Sequence, residues 1–282
     1  MGEGRQTDRL VISLQRISKT FNARNGSQVQ AINEISLEVS EGEFVCLVGP
    51  SGCGKTTLLE IMAGLEKPSS GLVRHGRLTL NGEFGWAGYM SQADTLLPWR
   101  TVLENAAIGL EIRGVPKEQR RCQVAGLVER VGLGGFEDKY PGELSGGMKK
   151  RLGLIRMLAY EPEVLLLDEP FAALDAQTRE KLQADLLDLW RDFKRTVIFV
   201  THDLVEAITL SDRIFLLSKR PAVIQREYRV DLPRPRLSQD IQFSPQFQDL
   251  HRRLRSELMA EDGSGDSTQA SGHLKSCTSA SK

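Results

Sequence analysis

No apolar run in this sequence approaches the roughly 18 residues that a membrane-spanning helix requires, so no segment is expected to cross a bilayer. Charge of one sign is not in excess either. With 37 basic and 37 acidic residues the net charge is zero, which removes the electrostatic case for a nucleic-acid partner. Cysteine is scarce: Cys46, Cys53, Cys122 and Cys277 form no CxxC pair and no Cys/His cluster, so neither a structural zinc site nor a disulfide framework is expected. The polar start, Met1 to Arg9, lacks the apolar core of a secretory signal, and a cytosolic location is the expectation. Internal repeats are absent. What 282 residues do allow is one sizeable core, or one core with an attached subdomain.

Strand and helix textures alternate along most of the chain. Residues 10–18 and 34–39 alternate as half-buried strands do, and Phe44–Val48 is a short apolar run suited to a buried strand. Further strands are predicted near Arg77–Leu80, Gly88–Met90, Val164–Leu167, Thr196–Thr201 and Arg213–Leu217. Between them Leu182, Leu186, Leu189, Trp190 and Phe193 mark one face of a helix. This order predicts an α/β fold with a mainly parallel sheet covered on both faces. The texture from Val102 to Tyr160 is helical, with turns at Arg113–Pro116 and Gly132–Gly135, and reads as an inserted subdomain over about 93–160.

Two glycine-rich turns run into helices. The first, Gly49-Pro50-Ser51-Gly52-Cys53-Gly54-Lys55-Thr56, fits the P-loop pattern and lies between a strand and a helix that begins near Thr57. Its glycines let backbone N–H groups close around phosphate oxygens, and the helix offers its N-terminus to the same anion. Lys55 can reach the outer phosphates and the Thr56 hydroxyl can ligate Mg²⁺. Cys53 is read as loop filler. Downstream, the apolar strand Leu165-Leu166-Leu167 ends in Asp168 and Glu169. The first is placed for the magnesium shell, the second to deprotonate a water attacking the γ-phosphate. Together these predict a nucleotide hydrolase. A P-loop kinase for a small molecule is the rival, but it has no use for the second turn, Leu144-Ser145-Gly146-Gly147-Met148.

With that second turn, the sequence resembles the ATPase subunits of ABC transporters over roughly residues 10–230. The motifs stand in family order: P-loop at 49–56, Gln92 as the Q-loop residue, the signature at 144–148, the magnesium and base strand at 165–169, Ala173-Leu174-Asp175 as the D-loop and His202 as the switch histidine. Phe21 occupies the place of the aromatic that stacks on adenine. The resemblance implies an ABC-type P-loop fold with an antiparallel β portion near the N-terminus, and ATP and Mg²⁺ as cofactors. It gives catalytic roles to Glu169, His202 and Gln92, with Gln92 also near the metal beside Thr56 and Asp168. It further implies a head-to-tail dimer, with a second copy or a homologous subunit, in which Ser145, Gly146, Gly147 and Asp175 of one copy meet ATP held by the P-loop residues Gly49–Thr57 of the other. Met148 stands where the family more often has glutamine.

The same resemblance implies transmembrane permease subunits as partners, a solute-binding protein as an indirect one, and a peripheral position on the cytoplasmic membrane face. Leu96-Leu97-Pro98-Trp99, the Met-containing signature and the Pro-Arg-rich segment with a terminal helix are most similar to importer ATPases for nitrate, sulfonates and taurine. Subunits for thiamine-precursor pyrimidines belong to the same subgroup, and a soluble ABC ATPase outside transport is the other alternative. Leu96–Trp99 is read as a docking patch for another protein, in the manner of a helix laid into an apolar groove, with local burial as the alternative. The basic face Lys149, Lys150, Arg151 and Arg156 is read as solvated or in contact with another subunit. Residues 231–260 are predicted to form a linker, through Pro233-Arg234-Pro235-Arg236, and a helical extension starting at Ser244-Pro245 with Phe247, Leu250, Leu254 and Leu258 on one side. Composition predicts disorder for 261–282.

Overall fold

Alternation within the strands decides the layering. The computed structural model describes residues 9–23, 26–80, 82–83, 85–172, 174–237 and 239–263. Leu10–Asn22 (β1) and Gln28–Ser40 (β2) pair antiparallel, then Phe44–Val48 (β3) leads into Lys55–Ala63 (α1). Ser70–His75 (β4), Leu78–Leu80 (β5) and Ala87–Met90 (β6) follow, then the helices Val102–Ile112 (α2), Lys117–Arg130 (α3) and Gly146–Leu158 (α4). The chain returns through Val164–Asp168 (β7), Ala176–Phe193 (α5), Thr196–Thr201 (β8), Leu204–Leu210 (α6), Arg213–Leu217 (β9) and Ile224–Arg229 (β10). It closes with the short Gln239–Gln242 (α7) and Pro245–Gly263 (α8).

One sheet has the order β2-β1-β4-β5 and is antiparallel; the other runs β10-β9-β3-β8-β7-β6, parallel except for the edge pair β9–β10. In the central strands successive residues feed two different cores. Phe44, Cys46, Val48, Leu165, Leu167, Val197 and Phe199 join the core beneath the helices α2 to α6 and α8. Val45, Leu47, Leu166, Ile198 and Val200 join the core shared with α1 and the antiparallel sheet. Both faces are therefore covered, and the loops at the strands' carboxyl ends, after Val48, Asp168 and Thr201, gather on one rim.

The α/β expectation is borne out, including the antiparallel portion. Two strands have no counterpart in the sequence reading, β4 and β10. Only Val73 is buried in the first, and no residue of the second is, so neither shows hydrophobic alternation.

The Pro-Arg segment is not a free tether. Arg236 is 3% exposed and donates to the carbonyls of Ile208, Ser211, Val230 and Leu232, while Arg234 donates to Leu210 O and Asp212. Burial pushes the Arg236 guanidinium down to about 10. These bonds satisfy carbonyls at the C-terminal end of α6, which the helix itself leaves open. α8 packs beside α6, with Phe247 and Leu254 buried and Leu250 and Leu258 partly so. Phe247→Ala is expected to lower the unfolding free energy by about 3–5 kcal/mol, measured as a lower urea midpoint. α8 continues to Gly263, past the boundary at 260 that composition places. The rest of the tail, Ala173 and Met1–Asp8 lie outside the described residues.

Candidate functional site

β3 ends at Val48 and the chain turns at once into the glycine loop. A Cβ on Gly49 would lie 2.9 Å from Leu217 O and 3.2 Å from Cys53 Sγ, so no side chain fits there. Gly54 adopts φ +125°, a backbone that glycine alone takes without strain. Lys55, 5% exposed, donates through Nζ to Gly49 O (2.7 Å) and Pro50 O (3.0 Å), which draws the loop around its own cation. Gly54 gives α1 no side-chain cap, and the first turn holds no acidic residue. The positive end of α1 is therefore left for an anion.

A cavity of about 330 Å³ opens over this loop. Ser51, Gly52, Gly54, Lys55, Thr56 and Thr57 form its floor, with Gln92, Glu169 and Arg220 around them. Gly49, Pro50 and Cys53 do not line the cavity. Cys53 is buried, and burial raises its thiol pKa, as suits the filler reading.

Asp168 ends β7 at 2% exposure. Burial pushes its carboxyl pKa up and the Glu169 charge adds to this, against a hydrogen bond from Thr56 and the attraction of Lys55. Its Oδ1 has no hydrogen-bond partner among the described residues. A buried carboxylate oxygen of this kind, beside a hydroxyl at the head of a P-loop helix, fits Mg²⁺, which takes oxygen ligands.

Glu169 has φ +42°, left-handed for a residue that is not glycine, with its N–H bonded to Val200 O. Such backbone costs of order 1–3 kcal/mol and persists where the surroundings over-determine it. Here it turns the side chain toward two others: Oε2 accepts from Gln92 Nε2 at 3.4 Å and lies 3.2 Å from His202 Nδ1. The three residues read as catalytic, far apart in sequence, meet at one carboxylate on the cavity rim. That arrangement can hold a water and take its proton.

Against known proteins, the family model for ABC transporters matches residues 32–172. The chain belongs to the ABC transporter family. An uncharacterised ABC transporter ATP-binding protein of Methanocaldococcus jannaschii is 46% identical over 91% of this chain and 97% of its own length. The taurine import ATP-binding protein of Yersinia pestis is 45% identical over 70% of this chain and 77% of its own. A solved ATP-binding cassette, a dimer in a post-hydrolysis state with ADP and Pi, superposes with a TM-score of 0.70 at 30% identity, covering 79% of this chain and all of its own. This is an ATP hydrolase of the ABC type.

The remaining predicted residues of this ABC ATPase lie apart from the cavity floor. Ser145 is exposed and caps α4, its hydroxyl accepting from Met148 N at 3.3 Å. Gly146 is exposed, and Gly147 is buried where a Cβ would stand 2.6 Å from Thr178 Cγ2. Asp175 caps α5, and the hydrogen bonds from Thr178 hold its carboxyl below the usual range. None of these four lines the cavity. Phe21 does not line it either; it stands 38% exposed near the end of β1, with Lys19 Nζ 4.9 Å from its ring centroid. Met148 is partly buried against the helical core, so methionine here serves packing.

The solvated reading of the basic face is corrected for Lys150, Arg151 and Arg156. Lys150 donates to Gln92 O (2.8 Å) and pairs with Asp94, Arg151 pairs with Asp185, and Arg156 donates to Thr95 O and Oγ1, both at 2.6 Å. Leu96–Trp99 divides: Leu96 packs against the core while Trp99 is 71% exposed. Arg220 and the contact of Lys150 with Gln92 escape a sequence reading because no local pattern announces a contact made across 168 or 58 positions.

Proposed function

We propose that this ABC ATPase energises an importer for a small solute of the nitrate, sulfonate or taurine kind, working as a head-to-tail pair of ATPase subunits. The observation that carries this reading is the meeting of Gln92 and His202 at Glu169, beside a P-loop cavity that Ser145–Gly147 do not line within one chain. Lys55 and the N-terminus of α1 hold the phosphates. Thr56 and Asp168 hold Mg²⁺, which neutralises phosphate charge when bound. Gln92 and His202 orient Glu169, and Glu169 takes the proton of the attacking water. Ser145 and Gly146 of a second copy close over the γ-phosphate, so losing that group releases the interface. The similarity to a taurine import ATP-binding protein supports the solute class, and the likeness to a dimeric cassette supports the pairing.

Among the described residues no helix is long and apolar enough to span a membrane, and the importer reading takes permease chains as the partners. The permease surface is read as the groove of about 340 Å³ between β6, α2 and α4, lined by Tyr89, Leu97, Ile108, Ile112 and Met157. Ile112 is 80% exposed at its lip. An apolar groove of this kind suits a helix laid into it. Ile112→Glu is expected to reduce co-purification with the permease at least about tenfold, since it exchanges the exposed apolar lip of the groove for a charge that a docked helix desolvates, while ATP affinity stays unchanged. Full recovery of the permease with this variant refutes the docking surface. Uptake of labelled taurine and nitrate by cells with and without the gene tests the solute class; loss of neither overturns it.

A further inference from the structure

We infer that Arg220 is a phosphate-binding residue of the nucleotide site, a second side-chain cation beside Lys55. The inference rests on the reading of the P-loop cavity as that site. Arg220 follows β9, far in sequence from the glycine loop, yet it lines the same cavity as Ser51, Lys55 and Thr56. One guanidinium nitrogen donates to Gly52 O at 2.8 Å. That acceptor is neutral, and among the described residues no carboxylate pairs with the guanidinium. Its charge is left for the cavity.

The loop that carries it is stitched down on both sides. Ser218 Oγ accepts from Val223 N (3.0 Å) and donates to Lys219 O (2.8 Å). Ala222 N donates to Ala31 O, and Ala222 O accepts from Asn33 N, both at 2.9 Å, so the loop is fixed to β2. A guanidinium has five N–H donors in a rigid fork. With one directed to the Gly52 carbonyl, the rest remain for oxygens lying on the loop. Lys55 already spends hydrogen bonds on Gly49 O and Pro50 O, whereas a triphosphate carries several negative charges. Arg220 adds the missing positive charge at the rim, pre-placed and thus with little ordering cost on binding.

Titration calorimetry of the full chain with ATP tests this. Arg220→Ala is expected to weaken ATP about tenfold, the usual worth of a charge-assisted hydrogen bond. Arg220→Gln keeps an N–H for Gly52 O but loses the charge, and is expected to weaken ATP equally. Arg220→Lys keeps the charge but not the fork that serves Gly52 O and the phosphate together, and is expected to bind ATP more tightly than Arg220→Gln and less tightly than the parent. Melting temperatures of the nucleotide-free variants are expected to match the parent. Were Arg220 only a prop for the loop, Arg220→Gln would bind ATP as the parent does, and that result overturns the inference. Parent-like binding by Arg220→Ala does the same. Lys55→Ala, measured in parallel, separates the two levels: if it too binds ATP normally, the cavity is not the nucleotide site and both readings fall.

Discussion

Glu169→Gln leaves ATP bound and lowers its turnover by about 10²–10⁴-fold, the range that a positioned general base supplies, or about 3–5.5 kcal/mol of barrier. The amide is close to isosteric, so Gln92 and His202 keep a partner at this position, and only proton acceptance is lost. The left-handed backbone of residue 169 makes the replacement sensitive to place rather than to bulk: the position is held by the Val200 carbonyl, not by the side chain. With hydrolysis stopped, the Mg-ATP form of the pair accumulates, and light scattering on the variant reads the doubled mass. Turnover within tenfold of the parent shows that another group takes the proton.

Ser145→Arg is the second large effect. Its target is the proposed contact between copies. An arginine at an exposed helix N-terminus obstructs a second subunit and repels the positive helix end. ATP-dependent pairing is expected to vanish and hydrolysis to fall by about 10²–10³-fold, as for loss of a transition-state donor, with ATP affinity of the single chain unchanged. The substitution also removes a helix cap worth about 1 kcal/mol. Ser145→Asp separates the two effects. Aspartate is as good a cap and suits the helix dipole, so folding is preserved, but its charge opposes the γ-phosphate of the facing copy. Both variants are expected to stay single. Normal pairing by either one removes Ser145 from the interface.

Much of this was legible in the sequence because the decisive signals are local. The apolar run Phe44–Val48, the glycine loop and the helix after it are contiguous, and a Leu-Leu-Leu-Asp-Glu run marks a buried strand with carboxylates at its end. What stayed hidden depends on contacts between distant segments. β10 is a charged edge strand paired, among the described residues, with β9 alone, so its pattern reads as loop. β4 buries Val73 alone. Arg236 reads as part of a Pro-Arg linker, and the carbonyls of Ile208, Ser211, Val230 and Leu232 that accept from it explain its burial. The basic residues of α4 read as a surface stripe because their acceptors, Gln92 O and Thr95 O, are backbone atoms on another element.

Those last bonds have a mechanical consequence. Lys150 and Arg156 fasten the stretch after Gln92 onto α4, and Met157, at the far end of the same helix, lines the apolar groove. A helix of this length is a stiff rod about 20 Å long, with Ser145 at its tip. On the proposed docking, pressure at the groove would arrive at the serine through one unbroken rod, and the two clasps would draw the Gln92 backbone along with it.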